Sequence, residues 1–233
     1  MSKCIFVTGT GTDVGKTYVS GLIVKKLAEN GKNAAYYKAA VSGNIRVGGR
    51  LIAGDPVQVK KMSGIEQPEE EMCPYVYEAA VSPHLASKIE GNPVKMGEIL
   101  EKFDDICRKY SYITAEGFGG IVCPLRFDDE KIQLEDFIKA RDLPCIIVAD
   151  AGLGTINAVV LTADYMKNRN ISVKAIIFNR YEPGNRLHED NIFMCEQLTG
   201  LKVAACVKTG DTDLDIPFEA LESFYEENRG DLK

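Results

Sequence analysis

The segment Val7–Thr17, with the sequence VTGTGTDVGKT, carries the residue types of a phosphate-binding loop. Glycines allow a loop to fold so that successive amide groups point at phosphate oxygens, and the helix that follows adds about half a positive charge. Lys16 can then reach the β- and γ-phosphates of a nucleotide, while the Thr17 hydroxyl can bind Mg²⁺. Five residues separate Gly9 from Gly15, one more than in the common Gly-x-x-x-x-Gly-Lys-Thr pattern. The segment therefore predicts a variant phosphate loop, against the alternative of a glycine-rich turn with a chance Gly-Lys-Thr.

Two further charged residues, Lys38 and Glu116, follow short apolar runs that have the character of buried strands. Ligands of open parallel sheets bind beyond the carboxyl ends of the strands, so both side chains are expected beside a bound phosphate. Lys38, with Ser42 close behind it, could stabilise negative charge during phosphoryl transfer; a solvated lysine at a strand end explains the same spacing. Glu116, before the glycine-rich turn Gly117–Gly119, could bind Mg²⁺ beside the γ-phosphate, and the alternative is a tight turn with a chance acid.

Four other segments can be assigned either to binding or to ordinary structure. Asp55, which precedes a proline, fits a helix N-cap with proline at the first helical position, although a capping carboxylate can also offer an oxygen to a metal. Ser82–His84 fits a helix start, and Leu153–Asn157 fits either a strand-to-helix turn or a set of amides that bind an anion. Asn179 ends an apolar run, where its amide could contact the edge of a nucleobase.

Short apolar runs alternate with longer amphipathic stretches along the chain. The runs predict strands at Cys4–Val7, Ala34–Tyr37, Tyr112–Ala115, Pro144–Ala149, Val173–Phe178 and Val203–Val207. The stretches predict helices at Lys16–Glu29, Met96–Tyr110, Gln133–Arg141, Ile156–Asn168, His188–Leu198 and Pro217–Asn228. Near-continuous apolar strands are typical of sheets that are covered on both faces. The alternation therefore predicts an α/β fold, in which a parallel sheet is flanked by helices.

The chain is expected to form a single domain over residues 1–233, because no linker, repeat or low-complexity tract divides it. The segment of about residues 40–93 lacks a clear pattern and is expected to be an irregular insertion. Insertions of this kind in α/β proteins usually lie over the active site.

The composition excludes several classes of function. Lys and Arg total 28 and Asp and Glu total 34, which gives a net charge of −6 and disfavours nucleic acid or an anionic membrane surface as a partner. No apolar run approaches the ~20 residues of a membrane span, and no signal peptide is expected at the N-terminus. The seven cysteines include no Cys-x-x-Cys pair, and with only two histidines they do not fit a zinc site. Free thiols in the cytoplasm, a reducing compartment, are the expectation.

Taken together, these segments resemble the dethiobiotin synthetases, ATP-dependent enzymes with a P-loop NTPase-like fold. The resemblance follows the chain in order over Phe6–Thr17, Lys38–Gly43, Asp55, Ser82–His84, Glu116–Gly120, Leu153–Asn157 and Asn179. The longer spacing of the phosphate loop is that family's own form. By this resemblance the protein converts 7,8-diaminononanoate, CO₂ and ATP into dethiobiotin, ADP and phosphate, with Mg²⁺ as cofactor.

The resemblance also implies roles for individual residues. The catalytic residues are Lys16, Lys38, Thr12 and Ser42. The nucleotide contacts are Asp13, Val14, Gly15, Lys16, Thr17, Tyr18, Asp55, Glu116, Gly117, Phe118, Gly119, Asn179 and Arg180. The Mg²⁺ ligands are Thr17, Asp55 and Glu116. The substrate contacts are Ser42, Ser82, Pro83, Gly154, Thr155, Ile156 and Asn157, of which the last four act across a homodimer interface.

Three positions depart from the family's pattern. Ala39 stands where a proline usually follows the lysine, and Asp13 replaces a glutamate that is often found in the loop. The segment 205–210 lacks the Gly-x-Ile-Pro-like turn that often helps to hold the adenine. The preference for ATP over other nucleotides is therefore the least secure implication.

Three alternatives belong to other classes of protein. A nucleotide switch of the partitioning-ATPase type usually has a second lysine early in the phosphate loop, where this chain has Gly11. Synthetases that amidate cobyrinic acid usually carry a glutamine-hydrolysing domain, for which 233 residues leave no room. A binding module with a decayed site is at odds with the intact Gly-Lys-Thr, Lys38 and Glu116.

Overall fold

A computed structural model describes residues 2–228 of the chain, which form thirteen strands and nine helices. The strands are β1 (Lys3–Gly9), β2 (Ala34–Lys38), β3 (Ala40–Val41), β4 (Ile45–Val47), β5 (Arg50–Ile52), β6 (Tyr75–Val76), β7 (Tyr112–Glu116), β8 (Pro124–Phe127), β9 (Lys131–Gln133), β10 (Cys145–Asp150), β11 (Val173–Asn179), β12 (Val203–Cys206) and β13 (Glu226–Glu227). The helices are α1 (Lys16–Glu29), α2 (Gly54–Ser63), α3 (Glu69–Met72), α4 (Pro83–Glu90), α5 (Met96–Lys109), α6 (Leu134–Ala140), α7 (Thr155–Asn168), α8 (Arg186–Thr199) and α9 (Phe218–Glu222).

The largest sheet has the strand order β12-β11-β10-β1-β7-β2, and neighbours along this path are all parallel. Alternate residues of each strand enter different apolar clusters, because successive side chains of a strand point to opposite faces. In β1, Ile5 and Val7 belong to one buried cluster and Phe6 to the other. Burying a side chain of this size contributes roughly 1.5–3 kcal/mol. The predicted α/β fold, with a parallel sheet covered on both faces, is confirmed.

The carboxyl ends of three adjacent strands meet at the place where the phosphate loop begins. Glu116, the last residue of β7, is in register with Val7 of β1 and with Lys38, the last residue of β2. The loop leaves β1 after Gly9 and enters α1 at Lys16. Strand order therefore places a lysine and a glutamate that lie 78 residues apart on neighbouring strands.

The segment of about residues 40–93 contains more regular structure than the sequence pattern predicted. The helices α2, α3 and α4 lie in it, together with the parallel pair β3–β6 and the antiparallel hairpin β4–β5. These elements are short, and short elements with few apolar residues leave little periodicity in a sequence.

The predicted closing helix Pro217–Asn228 is wrong over its second half. Helix α9 ends at Glu222, and the chain then forms β13, which pairs antiparallel with the start of β1. Tyr225 explains the change, because its buried ring packs against Tyr112 and its hydroxyl lies 2.6 Å from the Thr114 hydroxyl on β7. A continuing helix would carry this aromatic ring away from the sheet.

All seven cysteines have free thiols. Among residues 2–228, no group of three or more histidine, cysteine or acidic side chains is arranged to hold a metal. No described helix combines the length and the apolar character that crossing a bilayer requires.

Candidate active site

The phosphate loop is shaped around Gly15, which precedes α1 with a φ of 91° in the left-handed region. A Cβ atom at this position would lie 1.9 Å from Nδ2 of Asn179, so no side chain fits there. Lys16 folds back over the loop, and its Nζ donates to the Gly11 carbonyl at 2.7 Å. The Lys16 side chain therefore spans the loop and is hydrogen-bonded to its backbone.

Asn179 and Arg180 hold the loop from the end of β11. The Asn179 amide donates to the Val14 carbonyl at 3.1 Å, and the residue is almost fully buried. Arg180 donates to the Asp13 carbonyl and pairs with the Asp150 carboxylate. The amide that was expected to contact a base is thus used, at least in part, to support the backbone of the loop.

A network of charged side chains lies beside the loop. The Lys38 ammonium donates to Asp55 Oδ2 at 2.5 Å and to Glu116 Oε1 at 2.7 Å. The Thr17 hydroxyl donates to the same Glu116 oxygen at 2.8 Å. Burial disfavours the charge of Lys38, but Glu116 and Asp55 outweigh it and raise the pKa of Lys38 above its usual value. The lysine is therefore a fixed cation between two carboxylates.

Asp55 is not the helix cap that its sequence context suggested. Helix α2 begins at Gly54, two residues before the expected first helical position Pro56, and its N-cap is Ala53. Asp55 lies in the first turn, where its carboxylate accepts from the Lys38 ammonium. The carboxylate therefore pairs with a buried lysine and does not cap the helix.

Lys16 differs from Lys38 because, within residues 2–228, no carboxylate contacts its ammonium directly. Burial, followed by repulsion from Lys38, lowers the pKa of Lys16 to about 8. Carboxylates further away oppose this shift without cancelling it. A bound phosphate group would supply the missing counter-charge, as expected of a lysine that binds the γ-phosphate.

A cleft of about 790 Å³ opens above this network. It is lined by fourteen of the predicted site residues, namely Thr12, Asp13, Gly15, Lys16, Thr17, Tyr18, Lys38, Ser42, Asp55, Ser82, Pro83, Phe118, Gly119 and Arg180. The Ser42 hydroxyl donates to the Val81 carbonyl at 2.6 Å, which joins the loop after β3 to the segment that precedes α4. Residues from distant parts of the chain are thus brought to one cavity.

Other predicted residues lie behind the wall of the cleft. Glu116 is 1% exposed and reaches the site through Thr17 and Lys38. Gly117 packs against Phe6 and Leu134 in the core, where a Cβ atom would lie only 2.8 Å from a Leu134 methyl carbon.

The predicted group Gly154, Thr155, Ile156 and Asn157 is placed elsewhere. It surrounds the start of α7, beside a separate cleft of about 460 Å³ between α7 and α8. Within residues 2–228 the two clefts share no lining residue. Leu153 at this second cleft is 91% exposed and Leu161 is 61% exposed, so its rim is an open apolar surface.

Sequence reasoning missed six residues that line the first cleft, namely Val41, Gly43, Gln58, Ala80, Val81 and Cys123, and it missed Tyr36 behind its wall. Tyr36 donates from its hydroxyl to Glu116 Oε2 at 3.0 Å, and Cys123 lines the cavity. The period of two along a strand places Tyr36 on the same face as Lys38, which was a usable signal. Nothing in the local sequence marks Cys123.

Comparison with known proteins identifies the family. A family model described as an AAA domain matches residues 3–212. A protein of Brachyspira hyodysenteriae named ATP-dependent dethiobiotin synthetase is 47% identical over 216 residues, which cover 92% of this chain and 96% of that protein. The chain belongs to the ATP-dependent dethiobiotin synthetases. A second synthetase of the same name, from Clostridium botulinum strain 657, is 47% identical over 97% of this chain and 100% of its own length. As a member of this family the chain is an ATP-dependent ligase.

Solved structures with similar folds come from other branches of the P-loop NTPases. The MinC:MinD cell division complex of Aquifex aeolicus matches with a TM-score of 0.56 at 13% identity, over 89% of this chain and 81% of that one. A ParA-family ATPase of Chlorobium tepidum matches with a TM-score of 0.53 at 13% identity, over 89% of this chain and 84% of that one. At this identity the likeness shows the fold of the synthetase and nothing about its activity.

Proposed function

We propose that the synthetase reaction takes place in the cleft above β1, β2 and β7. The protein would convert 7,8-diaminononanoate, CO₂ and ATP into dethiobiotin, ADP and phosphate. The observation that carries this assignment is the convergence of Lys16, Lys38, Asp55, Glu116 and Thr17, from four separate elements, on one cavity at the phosphate loop.

The reaction proceeds in three steps. One amine of the substrate adds to CO₂ and loses a proton, which gives a carbamate. A carbamate oxygen then attacks the γ-phosphorus of ATP and displaces ADP. The second amine attacks the carbonyl carbon of this mixed anhydride and loses a proton, which closes the ring and expels phosphate. Phosphoryl transfer needs little covalent help from a protein, so positioning and charge stabilisation dominate.

The two lysines are suited to different parts of this sequence. Lys16 lies in the phosphate loop and has no carboxylate in direct contact among residues 2–228, so we assign it to the β- and γ-phosphates. Lys38 pairs with Asp55 of α2 and with Glu116 of the neighbouring strand β7. We assign it the role of stabilising the negative charge that develops between the carbamate and the γ-phosphate. A fixed cation of this kind acts without reorganising during the reaction.

Thr17, Asp55 and Glu116 would hold Mg²⁺. Magnesium prefers oxygen ligands, and it commonly uses one or two carboxylates with water and phosphate oxygens, so a cluster of three acidic residues is not required. The oxygens fit a cation, because the Lys38 ammonium already bridges the two carboxylates. When bound, Mg²⁺ supplies positive charge to the β- and γ-phosphates.

The substrate would lie between the two clefts of a homodimer. Thr12, Ser42, Ser82 and Pro83 line the first cleft and would contact the end that carries the amines. The start of α7, Gly154–Asn157, would bind the carboxylate of the substrate across the interface, since a helix N-terminus attracts anions. The exposed leucines at the second cleft support an interface there.

We also place the protein in the cytoplasm. The seven unpaired thiols support this location, because reducing compartments keep cysteines free.

Product analysis tests the proposed reaction. The protein, ATP and Mg²⁺ are incubated with diaminononanoate and ¹³C-bicarbonate, and the products are identified by mass spectrometry. We expect dethiobiotin that carries one ¹³C atom in its ureido carbon. Absence of dethiobiotin while ADP accumulates would refute the assignment and favour a nucleotide switch.

A further inference from the structure

Tyr36 is a buried side chain of β2 that contacts the proposed Mg²⁺ ligand Glu116 and does not itself line the cleft. Its hydroxyl donates to Oε2 of Glu116 at 3.0 Å, whereas Oε1 accepts from Thr17 and Lys38. The two carboxylate oxygens of Glu116 therefore have different hydrogen-bond partners. One is occupied by Tyr36, and the other faces the residues of the phosphate loop and the cleft.

The backbone of Tyr36 is fixed more firmly than that of an ordinary edge strand. In the part of the chain that the structure describes, strand β2 is the last strand of the sheet on this side, so one edge of its backbone has no neighbouring strand. The buried side-chain amide of Gln67 takes that place: Oε1 accepts from the Tyr36 amide at 2.8 Å, and Nε2 donates to the Tyr36 carbonyl at 3.0 Å. The Tyr36 phenol is thus held at a defined position beside the Glu116 carboxylate.

We propose that Tyr36 is a positioning residue for Mg²⁺, and this inference rests on the proposed function. Its hydrogen bond fixes the rotation of the Glu116 carboxylate, so that Oε1 stays directed toward Thr17 and the metal. Without the phenolic hydroxyl, the buried carboxylate loses its only partner at Oε2 among the contacts of residues 2–228 and can turn away. Partners that orient a metal-binding carboxylate typically affect metal affinity about 10- to 100-fold.

The neighbouring residue provides a matched control. Tyr37 is also fully buried, but its side chain lies on the opposite face of the sheet, where its hydroxyl donates to the Ile99 carbonyl at 2.7 Å. Tyr36→Phe and Tyr37→Phe each remove one buried hydroxyl from the same strand. A difference between them reports the role of the position rather than the loss of a hydrogen bond.

The experiment measures metal binding directly, with ADP present and Mn²⁺ as the probe. Electron paramagnetic resonance gives the free Mn²⁺ concentration, and calorimetry gives ADP affinity without metal. For Tyr36→Phe we expect Mn²⁺ binding to weaken about tenfold, while metal-free ADP binding stays within about twofold of wild type. The Mg²⁺ concentration for half-maximal activity should rise by a similar factor. Tyr37→Phe should leave both metal readouts within about twofold of wild type.

The outcomes separate this inference from the proposed function. Unchanged Mn²⁺ binding in Tyr36→Phe, or an equal change in Tyr37→Phe, would overturn the positioning role while the synthetase reaction stands. A wild-type protein that binds no Mn²⁺ with ADP would overturn the metal site itself. A double mutant with Glu116→Gln adds a further test: if Tyr36 acts through Glu116, the two losses of Mn²⁺ affinity must not add.

Discussion

The two clefts of this protein are built by opposite means. The first, the charged cleft, brings Lys38 and Glu116 together at the ends of parallel strands, and the Lys38 ammonium also pairs with Asp55 of α2. Glu116 is fully buried there. The second is a shallow surface between α7 and α8, with Leu153 and Leu161 largely exposed. Buried charges must be paired before a ligand arrives, whereas an apolar surface can remain open until another surface covers it. One chain therefore completes the charged cleft, whereas the second cleft, the apolar cleft, is where we propose that a second copy binds.

The largest expected effect is at the centre of the charged cleft. Lys38→Ala removes the cation between Asp55 and Glu116, and we expect kcat to fall about 10²- to 10³-fold. ADP affinity should change by less than about fivefold, since Lys16 and the loop remain. Steady-state kinetics and calorimetry give the two numbers. Lys88→Ala, at an exposed position on α4, is the control and should alter neither. Equal losses of kcat and of ADP affinity would reassign Lys38 to nucleotide binding.

The next effect concerns the apolar cleft. Leu161→Asp places a charge at the proposed interface and should weaken the homodimer about 30-fold or more, as a central interface residue does. ADP binding should stay unchanged, because the charged cleft lies within one chain. Sedimentation equilibrium measures the association.

The control for this variant is matched in exposure. Ile89 on α4 is 61% exposed, the same fraction as Leu161, but lies outside the second cleft. Ile89→Asp should leave the dimer intact. If both variants dissociate alike, or neither does, the second cleft is not the interface.

A smaller effect follows from the different surroundings of the two lysines. The pKa of Lys16 is lowered to about 8, so the free protein loses this charge as the pH rises above 8. Nucleotide binding must then restore the proton, and we expect the Kd for ADP to rise roughly tenfold per pH unit above 8 and to be flat below it. Calorimetry in buffers of different ionisation enthalpy should show proton uptake at pH 8.5.

Lys16→Arg is the control for this pH dependence, because a guanidinium keeps its charge throughout the range. Its ADP affinity should be flat from pH 7 to 9. A wild-type affinity that is also flat would contradict the shifted lysine.

The smallest effect tests the two roles of Asn179. Loss of one hydrogen bond to the Val14 carbonyl in Asn179→Ala should weaken ADP binding about fivefold, corresponding to ~1 kcal/mol. If the residue acts only by supporting the loop, GDP binding should weaken by the same factor. A change in the ratio of the ADP and GDP affinities would instead show that the amide contacts the base.

The sequence predicts which residues meet in the charged cleft, because apolar runs indicate where strands end. The apolar runs before Lys38 and Glu116 indicate strands, and carboxyl ends of parallel strands share one edge of the sheet. The order of the strands is not readable, so the contact between Tyr36 and Glu116, from strands that are neighbours only in space, could not be predicted. The end of α9 was missed for the same reason, since burial of Tyr225 against the sheet decides it.

The apolar cleft was predictable only in part. The turn at Leu153–Asn157 marks the start of a helix that was predicted at Ile156, and in the structure α7 begins one residue earlier, at Thr155. The exposure of Leu161 depends on how α7 packs against its neighbours. A single helical pattern does not show which apolar residues remain on the surface.

The central claim is that ATP consumption in the charged cleft depends on the diamine substrate. The most direct measurement is the initial rate of phosphate release with saturating ATP, Mg²⁺ and bicarbonate, with and without 7,8-diaminononanoate. We expect phosphate release to require the diamine and to match dethiobiotin formation mole for mole. Phosphate release at the same rate in its absence would contradict it.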